Sequence, residues 1–239
     1  MSLRKYIRYL ILESRDCRSP KLIFMAGSPG AGKSRVIGKL GLKNRMRVIN
    51  PDDQYEAAMK AECIPMNREA VMDKYIPIRL AYLAAEKSGD TETIEKLSYE
   101  YNKLRDYLSR NMTLFNQARA QAKKDREDCC ASQVDYVVDG TGGNINEIKK
   151  QIEIAKKVGY DIAMIYVDIP LEESQKRNKG RERRLTPRTV ERSWKAVNRN
   201  KAEYEQVFGS NFFLVVNTDD ESEASINNVR QLLSRFLES

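Results

Sequence analysis

Glycines at 27, 30 and 32, followed at once by Lys33 and Ser34, give the stretch GSPGAGKS (27–34) the spacing G-x-x-x-x-G-K-S. Glycine lets a backbone wrap close to phosphate oxygens, and successive N–H groups at a helix start point at an anion. A lysine beyond the last glycine reaches the β- and γ-phosphates of a nucleotide, and the next hydroxyl can ligate Mg²⁺. Gly27, Ser28, Pro29, Gly30, Ala31, Gly32, Lys33, Ser34 and Arg35 are therefore the expected ATP-binding residues, with Ser34 a metal ligand. Acids recur at two other places, Asp52-Asp53 in RVINPDDQYE (47–56) and Asp139 in YVVDGTGG (136–143). Asp139 is the expected second acid near the metal, the competing reading being a cap on its Gly-rich turn. One of the adjacent pair could take the proton of a hydroxyl that attacks a terminal phosphate; the alternative is a solvated turn.

Composition narrows the remaining chemistry. The 239 residues contain no histidine, which removes Ser-His and Cys-His nucleophiles and any His-ligated zinc or iron site. Cys17, Cys63, Cys129 and Cys130 form no C-x-x-C pair and read as reduced thiols of a cytoplasmic protein. No window approaches the roughly 20 apolar residues needed to span a bilayer. The net charge of +8 is local: residues 176–201 hold eleven basic side chains against Glu182 and Glu191, leaving −1 for the rest.

These residues need a scaffold that gathers them at one edge. Apolar runs at 21–27, 46–49, 134–139, 161–170 and 211–217 read as strands, separated by helical patterns at 33–40, 145–158 and 222–238. Strands alternating with helices imply an α/β, three-layer P-loop NTPase/kinase fold with a mostly parallel five-stranded sheet. Residues 54–130 break that rhythm with long helical patterns around 67–88 and 91–128, and are expected to be an all-helical insertion on the acceptor side. The core is then 19–53 plus 131–239. Leu3, Tyr6, Ile7, Leu10 and Ile11 predict an amphipathic helix over 1–18 that packs on the body.

The basic segment divides in two. KRNKGRERR (176–184) precedes a helix, contains Gly180 and sits where similar kinases have a mobile lid, so residues 176–185 are expected to form a lid whose arginines stabilise transferring phosphate. Thr186-Pro187 starts the next helix. Along it Arg188, Arg192, Lys195 and Arg199 share one face, nearly opposite an apolar stripe of Val190, Trp194, Val197 and Tyr204. That face is either a solvated surface or a track for a nucleic-acid backbone. The loop VVNTDDES (215–222) follows the last strand, where similar kinases border the adenine, and is a further candidate on that resemblance.

AGSPGAGKS, VINPDD, YVVDGTGG and RRLTPRTV, in that order, resemble the zeta-toxin family of P-loop kinases over roughly 20–53 and 134–217. The resemblance implies that Asp52 rather than Asp53 is the catalytic base and that Lys33 and Ser34 hold ATP and metal. It makes Arg184 the arginine that clamps the transferring phosphate, with Arg177 its companion, and puts Asp139 and Thr141, with Asp53, on the acceptor side. The chain departs from the family in having Asp139 for a Glu, Gly143 for a basic residue, and a shorter stretch between the arginines. Those departures bear on the acceptor, UDP-N-acetylglucosamine in the toxin, rather than on phosphoryl transfer. The implied activity moves the γ-phosphate of Mg-ATP to a hydroxyl of a small molecule, a nucleotide sugar or nucleoside. A nucleic acid acceptor (a 5′-hydroxyl end or modified base) held through Arg188, Arg192, Lys195 and Arg199, or a non-catalytic ATP-binding switch, are the alternatives.

Overall fold

The computed structural model describes residues 18–219 and 221–239, so the helix expected over 1–18 lies, but for Arg18, outside the described residues. Five strands, β1 (Lys21–Ala26), β2 (Arg47–Ile49), β3 (Tyr136–Asp139), β4 (Asp161–Asp168) and β5 (Phe212–Val216), form one sheet in the order β2-β3-β1-β4-β5. Every pairing is parallel, so the α/β expectation holds and all the strand C-termini open on one edge. β1 is central and wholly buried. Its alternating side chains serve two layers, Ile23 and Met25 on one face, Leu22 and Phe24 on the other.

The first face packs against α1 (Lys33–Lys39) and α9 (Ser222–Glu238) through Val36, Ile37, Val229 and Phe236. The second packs against α5 (Ile145–Lys157), α7 (Pro187–Arg199) and α8 (Lys201–Phe208) through Ile148, Ile152, Val197 and Tyr204. Truncating Ile23 to Ala would open a void at the centre of the first layer, about 2–5 kcal/mol of destabilisation. Asn144 caps α5 by accepting from Glu147 N, and Thr186 caps α7 by accepting from Thr189 N.

The helical region consists of α2 (Pro51–Ala61), α3 (Arg68–Ser88) and α4 (Thr91–Ser132). α4 has 42 residues, about 60 Å at 1.5 Å per residue, so it reaches far beyond the sheet before returning to β3. Tyr55, Met59, Ile64, Met66, Leu114 and Ala118 form a separate small core that fixes α2 on α4. No helix among the described residues is long and apolar enough to cross a membrane.

Two local outcomes differ from the sequence expectation. Asp52 and Asp53 stand in the first turn of α2, not in a free turn. Asn50 caps that helix by accepting from Asp52 N, Pro51 is its first residue, and acids at a helix N-terminus are favoured by its dipole. The basic stretch 176–184 is not all loop either. α6 (Leu171–Lys179) carries Lys176, Arg177 and Lys179, with Glu172 and Glu173 in its first turn. Complementary charges at the two ends and the Glu173–Arg177 pair stabilise this helix without an apolar stripe.

Candidate active site

The loop between β1 and α1 is tied down from three sides. Gly27 N donates to Thr141 O at 2.9 Å, joining it to the Gly-rich turn after β3. Ser174 on α6 donates through Oγ to Pro29 O at 2.6 Å and lies 3.1 Å from Ser28 Oγ. Asn217, fully buried after β5, donates through Nδ2 to Ala31 O at 2.6 Å, its own Oδ1 held by Ser222 Oγ. The loop is packed too closely for side chains. A Cβ on Gly27 would meet Val167 O at 2.7 Å and one on Gly30 would meet Ser174 O at 2.7 Å, and a Cβ on Gly32 would collide with Asn217 Nδ2. Gly30 and Gly32 also take φ of +84°, which suits glycine alone.

Beside this loop lies a cavity of about 340 Å³. Lys33, Ser34, Asp52, Asp53, Asp139 and Thr141 all border it, and Arg177 with Arg181 closes its far side. Residues from four separate stretches of sequence thus meet at the C-terminal edge of the sheet, where ligands of open α/β sheets gather. Lys33 Nζ donates to Gly27 O at 2.9 Å; burial lowers its pKa, opposed by Asp139 and Asp52. Burial raises the Asp139 carboxyl above the usual range, Lys33 pulls it back, and Asp53 and Asp52 push it up further. Asp139 Oδ2 accepts from Asn50 Nδ2 at 3.1 Å, while its buried Oδ1 has no hydrogen-bond partner among the described residues. An unpartnered carboxylate oxygen close to the Ser34 hydroxyl is a donor set that fits a hard cation such as Mg²⁺. Asp53 also has its pKa raised, first by burial and then by Glu56.

The arginines separate. Arg177 borders the cavity, its Nε 2.7 Å from Glu173 and its Nη2 donating to Asn217 O at 3.0 Å. Arg184 does not border it. Its Nε donates to Arg181 O, and it lines a neighbouring apolar cavity of about 190 Å³ with Tyr55, Met59 and Phe115. The arginine that reaches the acids is Arg183, which the sequence reading passed over. Its Nη2 is 3.0 Å from Asp52 Oδ1, its Nε donates to Glu56 Oε1 at 2.7 Å, and its guanidinium lies over the Tyr55 ring. Burial alone would lower the Arg183 pKa, but Asp52 and Glu56 outweigh it. Asn50, Ser174 and Asn217 were missed as well; Ser174 and Asn217 act on backbone groups brought to them by the fold, whereas Asn50 also caps its own helix, a local signal.

The exposed face of α7 carries Arg188, Arg192, Lys195 and Arg199, as expected, around a shallow hollow that shares no residue with the P-loop cavity. Asn217, in the loop after β5, braces the phosphate loop.

A family model described as an AAA domain matches residues 22–207. No curated protein is significantly similar in sequence. Among solved structures the chain is similar to a proposed kinase from Chloroflexus aurantiacus, with TM-score 0.54 and 11% identity over 93% of this chain and 98% of that one. It is similar to the PezAT toxin–antitoxin system of Streptococcus pneumoniae, with TM-score 0.53 and 12% identity over 99% and 94%. The AvrRxo1-ORF1–ORF2 structure with ATP gives TM-score 0.52 and 20% identity over 88% of this chain and 58% of that one. At such identities the likeness is one of fold, a P-loop kinase-like α/β domain.

Proposed function

Because the chain belongs to the AAA domain family, whose phosphate loop implies nucleotide binding, we propose that it is a Mg-ATP-dependent phosphotransferase acting on a hydroxyl of a small molecule. The observation that carries this is the shared cavity of Lys33, Ser34, Asp52 and Asp139. A protein that only bound ATP would need the first two; a carboxylate half-open to the same cavity suits proton removal from an acceptor.

In this reading the acceptor oxygen forms a bond to the γ-phosphorus, the bond from that phosphorus to the β–γ bridging oxygen breaks, and ADP leaves with the electron pair. Asp52 takes the hydroxyl proton. Lys33 and the loop N–H groups bind the phosphates, and Arg177 and Arg181 face the charge that builds on the transferring group. Arg183 holds Asp52 in one orientation. Ser34 and Asp139 would hold Mg²⁺, which when bound neutralises phosphate charge. The zeta-toxin resemblance of the motifs supports the same roles for Lys33, Ser34 and Asp52; Arg184, which borders a different cavity, is given no part in the transfer.

A second reading, a nucleic-acid acceptor, is favoured by one observation: the four cations of α7 all face solvent on one side. The test is transfer of labelled γ-phosphate from Mg-ATP, run in parallel on nucleosides, nucleotides and nucleotide sugars and on 5′-hydroxyl oligonucleotides. Label on small molecules is expected. Label confined to oligonucleotides would support the second reading, and tight ATP binding with no transfer to either pool would make the protein a nucleotide-dependent switch.

A further inference from the structure

A second cavity, about 470 Å³, adjoins the first and shares Asp139, Gly140 and Thr141 with it. Its volume is in the range of small-molecule sites. One wall is the Gly-rich turn after β3. The opposite wall is α4, which lines it with Arg119, Lys123 and Arg126. These residues are four and three apart, so they lie on one helix face. Arg126 is half-buried there and pairs with no carboxylate among the described residues. Arg119 leans on the Phe115 ring, and Lys123 is only 3.8 Å from its helical neighbour Glu127. Against these three cations the cavity lining holds two carboxylates, Asp139 and the exposed Glu147.

Polar residues of the cavity lining include Thr141, Asn144 and Gln151. Behind that lining, Asp139 Oδ1 and Gln151 Oε1 are buried with no hydrogen-bond partner among the described residues. The amide orientation of Gln151 is fixed, because its Nε2 donates to Glu147 Oε1 at 3.0 Å. Buried oxygens of this kind are costly unless a donor reaches them.

We infer that this cavity binds the phosphate-acceptor, and that the acceptor is a small phosphate ester with free hydroxyls, its phosphate held by Arg119, Lys123 and Arg126 on α4. This deepens the phosphotransferase reading and rests on it for the word acceptor. The shared residues put one end of such a ligand at Asp139 and Thr141, beside the P-loop cavity, and its anionic end against α4. A neutral nucleoside or sugar would leave the three cations unused. Nucleotides and sugar phosphates share the required chemistry, and the experiment separates them.

Binding is measured directly, without reliance on transfer, on the intact chain saturated with Mg²⁺ and a non-hydrolysable ATP analogue so that the phosphate loop is already filled. The probes are uridine against uridine monophosphate, and ribose against ribose 5-phosphate, with wild type and the triple variant Arg119→Gln, Lys123→Gln, Arg126→Gln. At least one phosphate ester should bind wild type about tenfold to a hundredfold more tightly than its parent, the gain expected of charge-assisted hydrogen bonds. The triple variant should lose that preference while keeping its affinity for the ATP analogue and its melting temperature. The pair that shows the preference identifies the source. Equal binding of ester and parent in wild type, or a preference that survives in the triple variant, would overturn the inference. Absence of transfer to a ligand that binds this way would instead count against the phosphotransferase reading.

Discussion

Arg183 Nη2 stands 3.0 Å from Asp52 Oδ1, so the irregular segment after α6 is tied directly to the acid that follows β2. The same guanidinium holds Glu56, one helical turn further along α2. The segment 180–186 and the orientation of the Asp52 carboxylate are thereby coupled.

Arg183→Gln should lower kcat by about ten- to a hundredfold, as expected when a catalytic group loses its positioning, with little change in the KM for ATP. Arg184→Gln should instead leave kcat and both KM values near wild type, since Arg184 borders a cavity that shares no residue with either ligand cavity. Steady-state kinetics with each substrate varied separately distinguish the two. An equal fall in kcat in both variants, or a loss of ATP affinity in either, would contradict this division.

Gly32→Ala should weaken ATP binding by more than tenfold and lower the melting temperature. Ala is strained at the positive φ found there, and its Cβ would collide with Asn217 Nδ2, the group that braces Ala31. The double variant Gly32→Ala, Asn217→Ala should be less than additive, because the collision is gone in the second. Calorimetric titration with an ATP analogue and thermal melts supply both readouts.

Asp139→Asn should abolish most transfer yet stabilise the fold at pH values where the Asp139 carboxyl is ionised. The Asp139 pKa is raised in the folded chain above its ordinary 3.8, so the folded state holds the proton more tightly than the unfolded one. Stability contributed by this group therefore falls as pH rises from the unfolded value through the raised folded one, and stays low beyond it. Asn removes that loss and can still accept from Asn50 through its carbonyl oxygen. The melting-temperature difference between variant and wild type should grow from pH 4 to pH 8. A constant difference, or one of opposite sign, would show that Asp139 is not destabilised by its burial.

The strands, the phosphate loop and the meeting of Lys33, Ser34, Asp52 and Asp139 at one edge were legible in sequence because each depends on local rules: apolar runs, glycine spacing and parallel topology. What was not legible depends on partners far away in the chain. Arg183 and Arg184 are adjacent and chemically alike, and only the start of α2 at Pro51 decides between them, since it sets Asp52 and Glu56 four residues apart on one face. Asn50-Pro51-Asp52 is a recognisable cap, so that much could have been read. The helix α6 was hidden by its lack of an apolar stripe, although Glu173 and Arg177 at helical spacing were a usable sign. Nothing in the spacing of Asn217 or Gln151 reveals what they brace or leave unpaired.

The most direct test of the central claim is single-turnover transfer of the γ-phosphate from Mg-ATP by wild type and Asp52→Asn, on whichever acceptor wild type labels. The rate should fall by about 10²–10⁴-fold, the range for loss of a general base, with ATP binding unchanged and the pH dependence of the remaining activity lost. If Asp52→Asn transferred phosphate at the wild-type rate, Asp52 would not be the base, and the role given to its pair with Arg183 would fall with it.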